Sequence, residues 1–169
     1  MANAGNNLEI ERKFLIRKDL TADPAWVAEA EALPHHRIEQ AYLSTSPTLR
    51  IRRMDETFFL TFKSRGTDSA LDGHREVEFE ISREDYEGLS RKAEGRCISK
   101  IRYYKALENG LTMELDHFLS PSEGIYEDLW MAEVEFPDRE RAASYKPHDW
   151  FGTEVSEDRR YYNSEMSKG

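Results

Sequence analysis

The chain has 169 residues, of which 38% are hydrophobic, 34% are charged and 11% are aromatic, and its formal net charge is −9. This length fits one domain whose core needs no disulfide or metal staple, and the share of aromatic residues argues against disorder away from the termini. The negative charge argues against binding to nucleic acid, because most of the surface would repel a phosphate backbone, whereas divalent cations are natural partners.

Cys97 is the one cysteine of the sequence, which excludes an internal disulfide framework and a Cys-rich zinc site. No signal peptide and no membrane span are expected, because the sequence contains no apolar run of about 18 residues. We therefore expect a cytoplasmic protein that binds no membrane. The expected organisation is a disordered N-terminus over 1–7, a single domain over 8–165 and a loose C-terminus over 166–169.

Eight short segments show the alternation of polar and apolar residues that is typical of β-strands. They are residues 8–17, 37–44, 48–53, 57–64, 74–81, 97–105, 110–118 and 129–136. Capping signals predict helices that begin at Asp23 and at Ser82 and end near residues 33 and 93, a third helix at about 138–145, and a last one capped by Ser156. Asn109 with Gly110 is the clearest hairpin signal. The pattern predicts an α+β, mainly β protein, in which an eight-stranded antiparallel β-barrel has several flanking helices.

Like charges recur two residues apart on the polar faces of these strands, opposite faces that are largely apolar. The charged positions are Glu9, Glu11 and Lys13; Arg50 and Arg52; Lys63; Glu76, Glu78 and Glu80; Lys100 and Arg102; Glu114 and Asp116; and Glu133 and Glu135. For any single strand, the commoner reading is a sandwich with its polar face in water. Like charges at this spacing repel one another, however, so their repetition favours a sheet that closes with its charges inward.

Such an interior would suit the chemistry of a metal–polyphosphate complex. Paired carboxylates offer the oxygen ligands that Mg²⁺ or Mn²⁺ prefers. Arginine and lysine supply donors to phosphate oxygens. The sequence does not support a P-loop, because the segment 66–73 lacks its pattern, or a histidine metal site, because the five histidines have no helical ligand spacing.

The segment from Glu9 to Phe14, Glu-Ile-Glu-Arg-Lys-Phe, resembles the ExExK signature of the CYTH superfamily, also called the triphosphate tunnel metalloenzymes. The later charged pairs follow in the order of that family, and the similarity extends from residue 8 to about residue 163. The resemblance implies an eight-stranded antiparallel tunnel with a charged interior that binds triphosphates together with a divalent metal.

The resemblance also implies roles for individual residues. The phosphate ligands would be Lys13, Arg50, Arg52, Lys63, Lys100, Arg102 and Arg159. The metal site would be formed by Glu9, Glu11, Glu76, Glu78, Asp116, Glu133 and Glu135, while Glu80 and Glu114 are left open. The catalytic pair would be Lys13 and Tyr42, with Tyr42 acting as a base whose pKa the neighbouring lysine lowers. Arg159 stands where a lysine is expected in close relatives.

The implied activity is the metal-dependent hydrolysis of a triphosphate, foremost of inorganic triphosphate to pyrophosphate and phosphate, with Mg²⁺ or Mn²⁺ as cofactor. A class IV-type adenylate cyclase or a thiamine triphosphatase could use the same fold. A non-catalytic polyphosphate-binding module is the alternative from another class, although anion binding alone has no use for rows of carboxylates. A homodimer through the apolar exterior of the barrel is compatible with the sequence.

Overall fold

The computed structural model describes residues 8–65, 74–108 and 110–169. The described residues form nine antiparallel strands: β1 Leu8–Ile16, β2 His35–Thr45, β3 Thr48–Met54, β4 Thr57–Arg65, β5 His74–Ile81, β6 Glu94–Ala106, β7 Thr112–Ser120, β8 Trp130–Phe136 and β9 Phe151–Glu154. All eight predicted strands are present, and each begins and ends within three residues of the predicted bounds. β9 was not predicted, because four residues are too few for an alternation to be recognised.

The strands form one sheet in the order β5-β4-β3-β2-β6-β7-β8-β1-β9. The sheet curls until β1 also meets β5, where Leu8 pairs with Arg75 and Glu9 with His74. Further along, the same edge of β1 pairs with β9 instead. Eight strands therefore surround a tunnel, which confirms the predicted fold class.

Five α-helices occur in the described residues: α1 Lys18–Thr21, α2 Pro24–Glu31, α3 Arg83–Ser90, α4 Arg139–Ser144 and α5 Asn163–Met166. The predicted caps of α2 and α3 are confirmed, since Asp23 accepts a hydrogen bond from the Ala25 amide and Ser82 accepts one from the Asp85 amide. Helix α1 was not predicted. No helix in the described part of the chain combines the length and the apolar character needed to cross a membrane.

The predicted helix capped by Ser156 is wrong. The Ser156 hydroxyl accepts from the Lys13 amide at 3.0 Å and donates to Glu154 at 2.7 Å. Its hydrogen bonds are thus made to the strands β1 and β9 and do not cap a helix. A short 3₁₀ turn over Arg159–Tyr161 begins instead at Asp158, whose carboxylate accepts from the Arg160 amide.

The larger apolar cluster covers the outer face of β1, β7 and β8. Phe14 of β1 is buried and stacks on Phe151 of β9 at 4.6 Å between ring centroids. Ala30 of α2 and Ala142 of α4 pack into the same cluster. Each large apolar side chain buried there contributes about 1.5–3 kcal/mol relative to exposure. The covering is one-sided, because Phe62 on β4 is 40% exposed and Phe79 on β5 is 45% exposed.

A second apolar cluster closes part of one end of the tunnel. Ile98, Phe118 and Met131 each lie two positions from a charged residue of their strand and hence on the inward face. The C-terminal segment covers them with Val155, Tyr161 and Met166.

The C-terminal segment is anchored further than the sequence predicts. Met166 and Ser167 are buried, although the sequence predicts a loose end from residue 166. The Arg96 side chain donates to the Met166 carbonyl oxygen, and the Arg96 amide donates to the Ser167 carbonyl oxygen, both at 2.8 Å. Gly95 has a φ of +72°, and a Cβ there would lie 2.1 Å from the Ser167 oxygen. The turn therefore requires glycine where the two segments meet.

Candidate active site in the tunnel

The tunnel encloses a cavity of about 260 Å³ with a polar lining. Its lining consists of Glu11, Lys13, Gln40, Arg50, Arg52, Lys63, Glu76, Glu78, Lys100, Arg102, Glu114, Glu133, Glu135 and Asn163. These residues include every predicted phosphate ligand except Arg159, and five of the seven predicted metal ligands. The closed sheet thus brings together side chains that are as far apart in sequence as residues 11 and 163.

The charges inside the tunnel are segregated by strand. The consecutive strands β4, β3, β2 and β6 form what we call the basic arc, in which β2 contributes uncharged positions between β3 and β6. Strands β7, β8, β1 and β5 are also neighbours and form the acidic arc. The basic arc carries Lys63, Arg50, Arg52, Lys100 and Arg102. The acidic arc carries Glu114, Asp116, Glu133, Glu135, Glu11, Glu76 and Glu78, together with Lys13.

Lys13 is a cation held within the acidic arc. Its ammonium group lies 2.5 Å from Glu133 and 3.0 Å from Glu11. Burial by itself would lower the pKa of Lys13, but these two carboxylates outweigh it and raise the pKa. The Lys13 backbone is held as well, because its amide donates to Ser156 and its carbonyl oxygen accepts from the Val155 amide. Lys13 is therefore a fixed, protonated group, which suits phosphate binding and not proton abstraction.

Tyr42 does not have the lowered pKa that the sequence predicts. Burial raises the pKa of its hydroxyl, and the nearby cations Arg50, Lys63 and Lys13 do not reverse this effect. The hydroxyl oxygen accepts a hydrogen bond from the Gln40 amide at 3.1 Å. Tyr42 is thus a neutral phenol beside the cations, and its part in catalysis stays a prediction.

Two arginines of the basic arc have donors without acceptors. The Nε atoms of Arg50 and Arg52 are buried and have no hydrogen-bond partner among the described residues. Their Nη2 atoms are engaged, that of Arg50 with Thr61 at 3.2 Å and that of Arg52 with Glu78. Buried donors without partners are rare and costly, so their presence at a cavity points to a ligand with acceptor oxygens.

Asp116 lies behind the cavity and not on its lining. It is fully buried and accepts from both Nε and Nη2 of Arg102 at 2.7 Å, as well as from Lys100. Arg102 also donates to Glu114 and Glu133. Burial would lower the pKa of Arg102, but Asp116, Glu114 and Glu133 together raise it. Asp116 therefore acts as a buried counter-ion, which makes it a poor candidate for the predicted metal ligand.

The described residues contain no preformed group of three or more Asp, Glu, His or Cys side chains arranged to hold a metal. The carboxylates are instead engaged by nearby cations, as Glu76 is by Lys63 at 3.3 Å. Like charges nonetheless face each other across strands, Glu11 opposite Glu135 and Glu114 opposite Glu133. Two carboxylates that face each other in this way repel one another unless a cation lies between them. Their oxygen atoms are the ligands that a hard cation such as Mg²⁺ or Mn²⁺ prefers.

Besides Asp116 and Tyr42, three further sequence-selected residues are not lining residues of the tunnel cavity. Glu9 pairs with His74 through the backbone, but its side chain lies outside the described part of the structure. Arg159 lies on the C-terminal 3₁₀ turn with its side chain 64% exposed, 3.2 Å from Glu165. Glu80 lies opposite Phe59 on β4 and is not a lining residue. The turn at Asp158 directs Arg159 outward, which the charge pattern alone does not reveal.

Gln40 and Asn163 line the cavity but were not selected from the sequence. A search for charged pairs does not detect neutral amides. Gln40 lies two residues before Tyr42 on the inward face of β2, so the alternation of that strand is a signal that could have found it. No comparable signal marks Asn163, because the C-terminal segment lacks a repeating pattern.

The CYTH domain family model matches residues 7–140, so the chain belongs to the CYTH family. The chain is 36% identical to an inorganic triphosphatase of Nitrosomonas europaea, over 94% of this chain and 96% of the relative. It is 35% identical to an inorganic triphosphatase of Acetivibrio thermocellus, over 95% and 93% respectively. The crystal structure of the inorganic triphosphatase NE1496 superimposes with a TM-score of 0.64 at 33% identity, covering 98% of both chains.

Proposed function

We propose that this protein hydrolyses inorganic triphosphate to pyrophosphate and phosphate inside the tunnel, with Mg²⁺ or Mn²⁺ as cofactor. The observation that carries the proposal is the pair of buried Nε donors of Arg50 and Arg52, set in the basic arc and facing rows of carboxylates. The names of the two bacterial relatives support the same substrate and reaction.

In this proposal the basic arc and Lys13 bind the phosphate oxygens. Arg50 and Arg52 each present a free Nε donor, and Lys63, Lys100 and Arg102 add positive charge along the same side. These contacts hold the polyphosphate so that one phosphorus atom lies in line with an attacking water. The water adds to that phosphorus, the phosphoanhydride bond breaks, and its bridging oxygen leaves with pyrophosphate.

The acidic arc would hold the metal, through Glu11, Glu76, Glu78, Glu133 and Glu135, with Glu9 as a further predicted ligand. A bound divalent cation would offset the negative charge that develops on the phosphoryl oxygens. Glu114 is the better candidate for the base that accepts the proton of water, because burial raises its pKa even though Arg102 lies beside it. Tyr42 is less suited, since the pKa of its hydroxyl is raised.

Substrate binding on this scheme is an exchange of partners. Cations that now contact carboxylates would turn to phosphate oxygens, and the released carboxylates would bind the cofactor. Because both arcs exchange one charged partner for another, no charge is left buried and uncompensated. An uncompensated buried charge would cost several kcal/mol per ion.

The test is phosphate release from inorganic triphosphate, ATP and thiamine triphosphate, each with Mg²⁺, with Mn²⁺ and with a chelator, alongside cyclic AMP formation from ATP. Fast, metal-dependent release from inorganic triphosphate is expected. Cyclic AMP formation would identify a cyclase instead, and tight binding without turnover would indicate a binding module.

The matched variants are Glu11→Gln in the tunnel and Glu87→Gln on the exposed face of α3. Glu11→Gln should abolish metal-dependent turnover, whereas Glu87→Gln should leave it unchanged. Turnover at the wild-type rate in Glu11→Gln would contradict the assignment of the acidic arc.

A further inference from the structure

Asn163, the first residue of α5, lies where the tunnel meets a second cavity. It lines the tunnel cavity and also an adjoining space of about 100 Å³, which we call the end chamber. The other lining residues of the end chamber are Glu11, Lys13, Tyr42, Thr48, Arg50, Lys63, Ser156, Tyr162 and Ser164. Asn163 is thus placed beside the cations that face a substrate at this end of the tunnel.

The Oδ1 atom of the Asn163 side chain is buried and has no hydrogen-bond partner within the described part of the chain. The backbone that carries it is well anchored. The Ser167 amide donates to the Asn163 carbonyl oxygen at 3.0 Å, and Met166 is fully buried. A buried side-chain oxygen without a partner, on an anchored backbone beside a cavity, leaves this amide available to a ligand.

The size and lining of the end chamber restrict what this ligand can be. Pockets that enclose organic ligands of drug size measure roughly 300–1,000 Å³, and the end chamber is well below that range. The apolar cluster around Ile98, Phe118 and Met166 occupies the neighbouring part of the same tunnel end. A phosphoryl group fits such a space and a nucleoside does not, while Lys13, Arg50 and Lys63 supply the charge that a phosphoryl group requires.

We propose that Asn163 binds an unsubstituted terminal phosphoryl group of the substrate in the end chamber. This inference rests on the proposed function, and it specifies how the substrate is oriented. The Asn163 Nδ2 group donates to a terminal phosphate oxygen, and Oδ1 accepts from a protonated oxygen or from a bound water. A substrate therefore needs one free phosphoryl end, and any organic substituent must project from the opposite end of the tunnel.

The test uses imidotriphosphate, in which nitrogen replaces the bridging oxygens, so that binding is measured without turnover. Isothermal titration in the presence of Mg²⁺ compares the wild type with Asn163→Ala, Asn163→Asp and the neighbouring control Glu165→Gln. Loss of a hydrogen bond to a charged group should weaken binding roughly ten- to hundredfold in Asn163→Ala, and more in Asn163→Asp, which adds a repelling charge. Glu165 pairs with Arg159 and Lys168 and is not a lining residue, so its variant should bind like the wild type.

A second arm tests the orientation with the wild-type protein. ATP, which has one free phosphoryl end, should displace imidotriphosphate, whereas diadenosine triphosphate, which has none, should not. Equal competition by the two nucleotides, or wild-type affinity in both Asn163 variants, would overturn the inference. If Asn163→Ala fails to fold, as judged by its circular dichroism, Asn163→Ser replaces it.

The outcomes separate this inference from the proposed function. If the wild type binds imidotriphosphate but releases no phosphate from triphosphate, the proposed function fails and the binding data still decide the role of Asn163. If triphosphate turnover is fast while both Asn163 variants bind normally, the function stands and the inference fails.

Discussion

The two arcs of the tunnel carry opposite charges, and they also differ in how far those charges are satisfied. In the acidic arc, Lys13 holds Glu11 and Glu133 within 3.0 Å. In the basic arc, Arg50 and Arg52 keep buried donors without acceptors among the described residues. Burial and the neighbouring Arg50 also lower the pKa of Arg52. The basic arc therefore keeps two unused donors that the acceptor oxygens of a polyanion would satisfy, whereas Glu11 and Glu133 of the acidic arc already have Lys13 as a cationic partner.

The largest effect is expected from Arg50→Ala. The substitution removes an unpartnered donor and a charge from the basic arc, and a phosphate-binding arginine of this kind contributes on the order of 10³-fold to turnover. The free energy of unfolding should change little, because Glu76 still has Lys63 as a cationic partner and Arg52 loses the like charge of Arg50 beside it. Steady-state kinetics on triphosphate and denaturant unfolding measure the two quantities. Arg50→Lys keeps the charge but loses the planar fork of donors, so its turnover should lie between that of the wild type and that of Arg50→Ala. Kinetics near those of the wild type in Arg50→Ala would show that the unpartnered donor is not used.

Arg102→Met should instead act mainly on stability, because Arg102 joins the two arcs. Its guanidinium contacts the buried Asp116 and Glu133 and the half-buried Glu114, and its removal leaves these carboxylates short of a cation. Breaking a buried ion pair from one side costs about 3–5 kcal/mol. Urea unfolding would measure the loss, with Arg37→Met as an exposed arginine control that should stay within about 0.5 kcal/mol of the wild type. An equal loss in both variants would contradict the bridging role.

Ser156→Ala tests how Lys13 is held within the acidic arc. The substitution leaves the buried Lys13 amide without its acceptor and removes one hydrogen bond to Glu154. The loss should lower the free energy of unfolding by about 1–3 kcal/mol. Ser156→Thr keeps the hydroxyl and should restore most of that loss, as thermal unfolding would show. A stable Ser156→Ala protein would mean that β8 and β9 hold this strand without the serine.

The smallest effect concerns pH and distinguishes two acids that face each other on β7 and β8. Burial would raise the pKa of Glu133, but Lys13 and Arg102 hold it well below its usual value of 4.5, so its stabilising contribution is present above pH 4.5 and is lost as the pH falls through its folded pKa. The pKa of Glu114 is raised, so its contribution is present below pH 4.5 and is lost as the pH rises through its folded pKa.

Unfolding free energies between pH 3 and pH 8 should therefore change in opposite directions when Glu133→Gln and Glu114→Gln are compared with the wild type. Relative to the wild type, Glu114→Gln should gain stability as the pH rises, by about 1.4 kcal/mol for each pH unit that separates the pKa of Glu114 in the folded protein from its pKa in the unfolded chain. Glu133→Gln should lose stability over the same rise. Parallel curves for the two variants would contradict the opposite signs.

Much of the site follows from strand periodicity. Because side chains on a strand alternate between two faces, a row such as Arg50 and Arg52 must share a face wherever the strand lies. The same reasoning selected most of the cavity lining before any fold was known. It could not reveal that Asp116 lies behind Lys100 and Arg102, because depth depends on which side chains of neighbouring strands lie in front.

The sequence by itself determined the eight strands of the tunnel, which residues share their inner faces, and that these faces are rich in charge, since all three depend on local alternation. Only the tertiary structure decided that the charges separate into two arcs, because strand order sets the neighbours of each row. Tertiary structure also decided the raised pKa of Tyr42, which follows from burial, and the outward position of Arg159. The same holds for Asn163, which reaches the tunnel because the anchored C-terminal segment turns back over one end of the sheet.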